Sequence, residues 1–461
     1  MPQGDLRLMA HLMRRAGFGA AREELERYLD IGYEATVEEL LFPGDDGLDE
    51  DIVQRYYIDI DDLRQPDSII GWWIYRNVNS RSPLREKMAL FYHGLFATRW
   101  DKVINTRDAA AQIDMFRRCG LGNFRTLLME LSRDPAMLIF LDNDVNLQAT
   151  PNENYGRELM ELFSMGDGAY TEDDVKACAR AFTGWNVSHK IPKVPWGDFP
   201  REFEYRPSDH DDGEKSFLGQ RGCFKRGCFN GEDIVDIIVD RPATARFIAP
   251  KLYNFFVSDY PPPEEDLQTL SDAYSVSRQD IRSVMRALLN SSFFKAARFA
   301  KVKSPVDMVS GVLRIVGDFR EPQPGLVEIA RHAKFMGQEL LSPPTVEGWH
   351  TGKEWIDTAS LVARVNFATE QLGNIEQPGV RDMIRRLGEG RASLTPEELV
   401  DGCLDLVGPM EAQPETRSVL LEQARQDGEA RFETAEGRNR FAHGVGGMLR
   451  FIVATPEFQL M

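Results

Sequence analysis

TPNENYGRELMELFSMGDGAYTEDDVKACARAFTGW, residues 150 to 185, is the stretch that decides the fold class. Thr150 offers a cap, Pro151 suits a first helical position, and Glu153 three residues after the threonine completes a capping-box pattern, so a helix is expected to begin here. At about 100° per residue, Tyr155, Leu159, Leu162 and Phe163 form an apolar stripe. Asn154, Arg157, Glu158 and Glu161 then fall along a neighbouring edge. Gly166 and Gly168 tolerate the left-handed conformation that ends a helix, and Thr171 with Asp174 opens a second helix running to about Phe182. The stretch reads as a helical hairpin with one buried face and one dense polar edge.

The same periodicity recurs outward in both directions, from about residues 5 to 16 through 83 to 98, 242 to 257, 305 to 316 and 357 to 371. Ser82-Pro83, Thr150-Pro151 and Ser304-Pro305 each present a cap followed by a proline suited to the first turn. Strand-type alternation is scarce. The expectation is an all-α, large multi-helix globular protein with long ordered loops at about 186–230 and 337–356. Residues 1–375 are read as a helical core domain and 376–461 as a C-terminal helical extension docked on it.

Composition narrows the function classes. The chain has 461 residues, 42% hydrophobic and 28% charged, which is ordinary for a globular protein, and apolar runs such as AMLIFL at 136–141 are too short to span a bilayer. A net charge of −18 opposes binding to a phosphate backbone, so no nucleic-acid partner is expected. The first twenty residues hold no long apolar segment and no small-residue cleavage site, which reads as cytoplasmic for the chain as written, with export alongside a partner as the alternative. Five cysteines, an odd number, fit a reduced compartment, and Cys178 and Cys403 read as core residues. There is no Walker A loop, HExxH, nucleophile elbow or dinucleotide fingerprint.

Three groups of residues could carry chemistry. Glu158 and Glu161 are candidates for general acid and base, with Asn152, Asn154 and Arg157 as substrate-binding neighbours; the competing reading has Glu153 capping the helix and Arg157 pairing with Glu161. His210 and Asp211 are the second catalytic pair, with Lys215 beside them for binding; the competing reading is a solvated turn. Trp349, in PPTVEGWHTGKEW, is a stacking platform for a sugar or a partner, or else pins its loop to the core. His93 sits among apolar residues and reads as a hydrogen-bonded core histidine. Cys223 and Cys228 with His189 and His210 have looser spacing than a zinc site prefers, so no metal site is assigned and the cofactor stays unknown. The aspartate-rich stretch 43–62 reads as a solvated loop ahead of a cation-binding one, and Arg14 and Arg15 as contacts to helix C-termini ahead of an anionic group.

Five words in order along the chain carry a resemblance: HLMRRAGFG at 11–19, EKMALFYHGLFAT at 86–98, NENYGRELMELFSMG with YTEDDVKACARAFTGW at 152–185, HDDGEKSFLG at 210–219, and PPTVEGWHTGKEWIDTASLVARVNF at 343–367. The chain resembles a bacterial family catalogued as a domain of unknown function, number eighteen hundred. That resemblance implies a large, mostly helical protein, often exported and often encoded beside a protein of alkaline-phosphatase or sulfatase-like fold. The family text usually reads H-N-H where this chain has His93, Gly94 and Leu95. Two functions follow as expectations: an accessory partner of the phosphatase-like neighbour, or a hydrolase-type enzyme in which the 152–161 helix edge, the His210 loop and the Trp349 loop form a carboxylate-histidine pocket for a polar, carbohydrate-like substrate.

Overall fold

The computed structural model describes residues 3–48, 66–188, 201–222, 229–427, 430–431 and 434–461. Cys223, Cys228, His189 and the aspartate-rich stretch beyond residue 48 lie outside the described residues. Within them the chain forms 23 α-helices and three small two-stranded antiparallel sheets, so the protein is mostly α. No described helix is long and apolar enough to cross a membrane.

Local signals set most helix starts. Ser304 Oγ accepts from the Asp307 backbone N–H at 3.1 Å while the Asp307 carboxylate accepts from the Ser304 N–H at 3.1 Å, a reciprocal cap on the helix Pro305–Val316. Thr171 and Asp174 do the same for Glu172–Ala181, as their spacing predicts. Thr150-Pro151 does not start a helix. The helix there is Asn154–Glu161, and its preceding turn is held by tertiary bonds: Asn152 N–H donates to Asn146 Oδ1 at 2.9 Å, and Asn154 N–H donates to Asn152 Oδ1 at 3.0 Å. Buried Asn146 also donates from Nδ2 to the Ala179 carbonyl at 2.9 Å. A fully engaged buried amide outweighs one local cap worth about 1 kcal/mol.

The 186–230 region is not loop throughout. Trp185–Ser188 pairs with Glu202–Tyr205, and Lys215–Phe217 pairs with Gln220–Gly222. Leu218 and Gly219 both take positive φ, 47° and 77°, which is the two-residue hairpin geometry that matches strand twist. In the 337–356 connector, Thr345 and Gly348 form an isolated bridge and Gly352–Trp355 is a 3-10 turn.

Two helices lie at the centre. Pro83–Leu95 and Pro305–Val316 are buried over nearly their whole length, because both are apolar around most of their circumference. The first packs on Thr106–Cys119; the second packs on Leu326–Phe335, Thr358–Leu372 and Pro66–Asn79. Two charged residues of the first helix, Glu86 and Lys87, are buried. Glu86, fully buried, accepts from Arg76 Nε at 2.9 Å and Arg117 Nε at 2.8 Å, while Lys87 pairs with Asp307 of the other central helix. At the C-terminal end, Ala435–Val453 packs on Thr358–Leu372, and Phe441, Val445 and Leu449 join the same continuous apolar core as Leu12 and Phe91.

Candidate functional site

A cleft of about 260 Å³ opens where the two central helices meet the Trp349 connector. Leu90, Phe91, Gly94 and Leu95 form one wall, Lys251, Asn254 and Phe255 from the helix Pro242–Phe256 another, and Lys301, Val302, Ser304 and Asp307 the floor. Glu347, Trp349, His350, Thr351 and Trp355 close the rim, with Gln338 beneath them. The connector is seated backbone to backbone: Gly348 has φ +92°, and a Cβ there would lie 2.1 Å from the Gly94 carbonyl oxygen. Only glycine fits that approach and that φ. Trp349 then meets His93 edge-on at 5.1 Å between ring centroids.

His93 is a core residue. Its Nε2 accepts from the Leu341 N–H at 3.0 Å, and burial pushes its pKa down to about 3, so it stays neutral. The floor is charged but paired. Lys301 Nζ lies 2.5 Å from Asp259 Oδ1, whose other oxygen accepts from the Val302 N–H at 2.7 Å. Asp307 holds Lys87 with one oxygen and the Ser304 hydroxyl, at 2.9 Å, with the other. Arg15, behind this floor, donates to the Ala297 carbonyl at 3.0 Å, and Arg14 to the Gly408 carbonyl at 2.7 Å, each just past a helix C-terminus.

The residues singled out in the sequence fall into two places. Glu158 is half-buried, and burial followed by the charge of Glu161 raises its carboxyl above the usual range; Arg157 opposes this and Glu347 adds to it. The charge of Glu347 in the Trp349 connector is thus felt at the helix edge. Glu161 accepts from the Tyr170 hydroxyl at 2.9 Å. Arg157 pairs with Glu172 through two bonds of 2.8 Å and with Glu153 at 3.3 Å, rather than with Glu161. Asn152 and Asn154 spend their side-chain amides on the Asp142 and Leu141 carbonyls, at 3.3 and 3.2 Å.

The His210 loop sits elsewhere. His210 is buried, and its Nδ1 donates to the Thr183 carbonyl at 2.8 Å, since a carbonyl can only accept. Asp211 receives Arg180 Nε at 2.6 Å and Nη2 at 3.1 Å, which with the Gly213 N–H holds its carboxyl at about 2. Lys215, also buried, donates to the Asp211 and Gly213 carbonyls. Arg157 meets Glu172 at one end of the helix Glu172–Ala181 and Arg180 meets Asp211 at the other, about 12 Å apart at 1.5 Å per residue. None of Glu158, Glu161, His210 or Asp211 lines the cleft. Lys301, Asp307, Asp259, Lys87 and Gln338 were not singled out in the sequence; local traces exist for Lys87, in the charged run Arg85-Glu86-Lys87, and for Asp307, three residues after the Ser304 cap.

Fold and cleft together define a mostly α protein whose central helices present a charged floor beneath an aromatic rim. The chain belongs to the family described as protein of unknown function (DUF1800), whose model matches residues 11–460. No curated protein and no solved structure matches it.

Proposed function

We propose that this protein is a non-catalytic recognition component, an accessory to an alkaline-phosphatase or sulfatase-like neighbour, and that the cleft under Trp349 is where it takes up what it recognises. The observation that carries this reading is the division of the candidate catalytic groups between the two ends of the helix Glu172–Ala181, with Asp211 locked to Arg180. A general acid and base must both reach one substrate within hydrogen-bond distance. Of the carboxylates lining the cleft among the described residues, Asp307 is committed to Lys87 and to Ser304, and Glu347 stands alone on the rim; Asp259, beside the floor, is committed to Lys301 and the Val302 N–H.

A hydrolase-type reading keeps one specific support. Glu158, Glu161 and Glu347 share a neighbourhood in which the Glu158 carboxyl is raised, the environment a general acid needs, next to a rim suited to a polar, carbohydrate-like substrate. Co-purification with the neighbouring gene product, combined with a glycoside and ester turnover panel, separates the two. Under the accessory reading Trp349→Ala abolishes co-purification, Glu158→Gln leaves it intact, and no turnover is measured. Turnover that disappears in Glu158→Gln with co-purification unchanged overturns it in favour of the hydrolase.

A further inference from the structure

Behind the paired charges of the cleft floor lies a cluster of further cations. Asp307 is the common counter-charge of five cations, Arg15, Lys87, Lys301, Lys303 and Arg364, and the other carboxylate acting on them is Asp259. Arg15, Lys87, Lys301 and Arg364 are all more than nine-tenths buried. In a chain of net charge −18 these side chains gather positive charge at one spot, felt strongly in a low-dielectric interior and opposed at the rim by Glu347.

The unmet hydrogen-bonding capacity has the same polarity. Gln338 is 4% exposed and lines the cleft; its side-chain oxygen accepts from the Val306 N–H at 3.0 Å, which fixes the amide orientation and leaves Nε2 without a partner among the described residues. Lys301, 7% exposed, spends one ammonium hydrogen on Asp259 and has two left. Lys251, exposed on the cleft wall, has no ion pair among the described residues. Behind the floor, Arg15 Nε and Nη1 and Arg364 Nη1 are buried without acceptors. By contrast both oxygens of Asp259 and of Asp307 are engaged. The donors that face the cleft are those of Gln338, Lys301 and Lys251, so a ligand that meets them brings acceptors and negative charge.

We propose that the cleft binds its ligand through an oxyanion group, a carboxylate, phosphate or sulfate, received by Lys301, Gln338 and Lys251, with the uncharged part of the ligand lying against Phe255, Trp349 and Trp355. The volume suits a ligand about the size of one acidic sugar. This inference rests on the cleft being the recognition site.

The test uses the full chain with ¹⁵N-labelled indoles, whose seven tryptophans give separable signals, Trp349 and Trp355 being assigned by phenylalanine substitution. Glucuronate, glucose and inorganic phosphate are titrated in turn. Glucuronate is expected to shift both indoles and to bind about tenfold tighter than glucose, the usual effect of one charge-assisted hydrogen bond. Inorganic phosphate competing with glucuronate supports the shared oxyanion chemistry; phosphate failing to compete restricts the site to carboxylates. Lys251→Glu, at an exposed position that leaves folding intact, is expected to weaken glucuronate about tenfold and leave glucose unchanged. Equal affinity for glucose and glucuronate, or an unaltered glucuronate affinity in Lys251→Glu, overturns the oxyanion while leaving the cleft as the recognition site. Unmoved Trp349 and Trp355 signals with all three probes overturn the oxyanion ligand, and co-purification that survives in Trp349→Ala separately overturns the cleft as the recognition site.

Discussion

Replacing Gly348 by alanine tests whether the rim is held by the backbone contact described above. Two penalties add. Alanine at φ +92° leaves its favoured regions at about 1–2 kcal/mol, and a Cβ placed 2.1 Å from the Gly94 carbonyl oxygen forces the connector outward by about 1 Å, an overpacking strain of about 1–3 kcal/mol. The sum, about 2–5 kcal/mol, is an upper limit, because once it exceeds the docking free energy of the connector the segment opens locally. The matched control is Gly94→Ala. Its Cβ would meet Trp349 Cε3 at 3.7 Å, an ordinary contact, and alanine for glycine in a helix contributes about 0.5–1 kcal/mol. Hydrogen exchange of residues 343–355, with thermal unfolding alongside, reads both variants. Faster exchange in Gly348→Ala and unchanged or slower exchange in Gly94→Ala is expected. Equal behaviour of the two, or an unaffected Gly348→Ala, refutes a rim seated by backbone approach.

Lys303 titrates near neutrality: burial first, then Arg14 and Arg364, bring its pKa down to about 7. Its unfolded value is higher, so the unfolded state binds the extra proton between about pH 7 and 10 and stability rises with pH across that window by up to about 1.4 kcal/mol per unit. Lys303→Met is expected to flatten that slope relative to wild type in denaturant unfolding; an unchanged slope refutes the assignment. Arg180→Ala is expected to destabilise by about 1–2 kcal/mol at pH 7. Asp211's depressed carboxyl contributes stability that is full above about pH 4 and lost as pH falls through about 2, so wild type and variant should converge below that point. Acid titration of the unfolding midpoint reads the convergence.

What was legible in the sequence is what neighbouring residues decide. Thr171-Asp174 and Ser304-Pro305 mark their helix starts because the cap closes within four residues. Thr150-Pro151 has the same appearance and misleads, because Asn146, four residues before it, is already engaged with Ala179 and Asn152. The words for the His210 loop carry no sign that Arg180 holds it at the far end of the helix Glu172–Ala181. The cleft floor was invisible for a simpler reason: Lys87, Asp259, Lys301, Asp307 and Gln338 are scattered over 250 positions, and no local pattern links a lysine in one apolar helix to the cap of another.

Asn146 couples three stretches that are separate in the chain. Its amide nitrogen reaches Asn143 Oδ1 and the Ala179 carbonyl, its amide oxygen takes the Asn152 N–H, and its own carbonyl accepts from Gly184. Such a junction makes the segment from 143 to 154 unable to settle before the helix Glu172–Ala181 exists. The two therefore assemble and come apart as a single cooperative unit, and a slip of one residue between 146 and 152 would strand several amides at once instead of costing one bond.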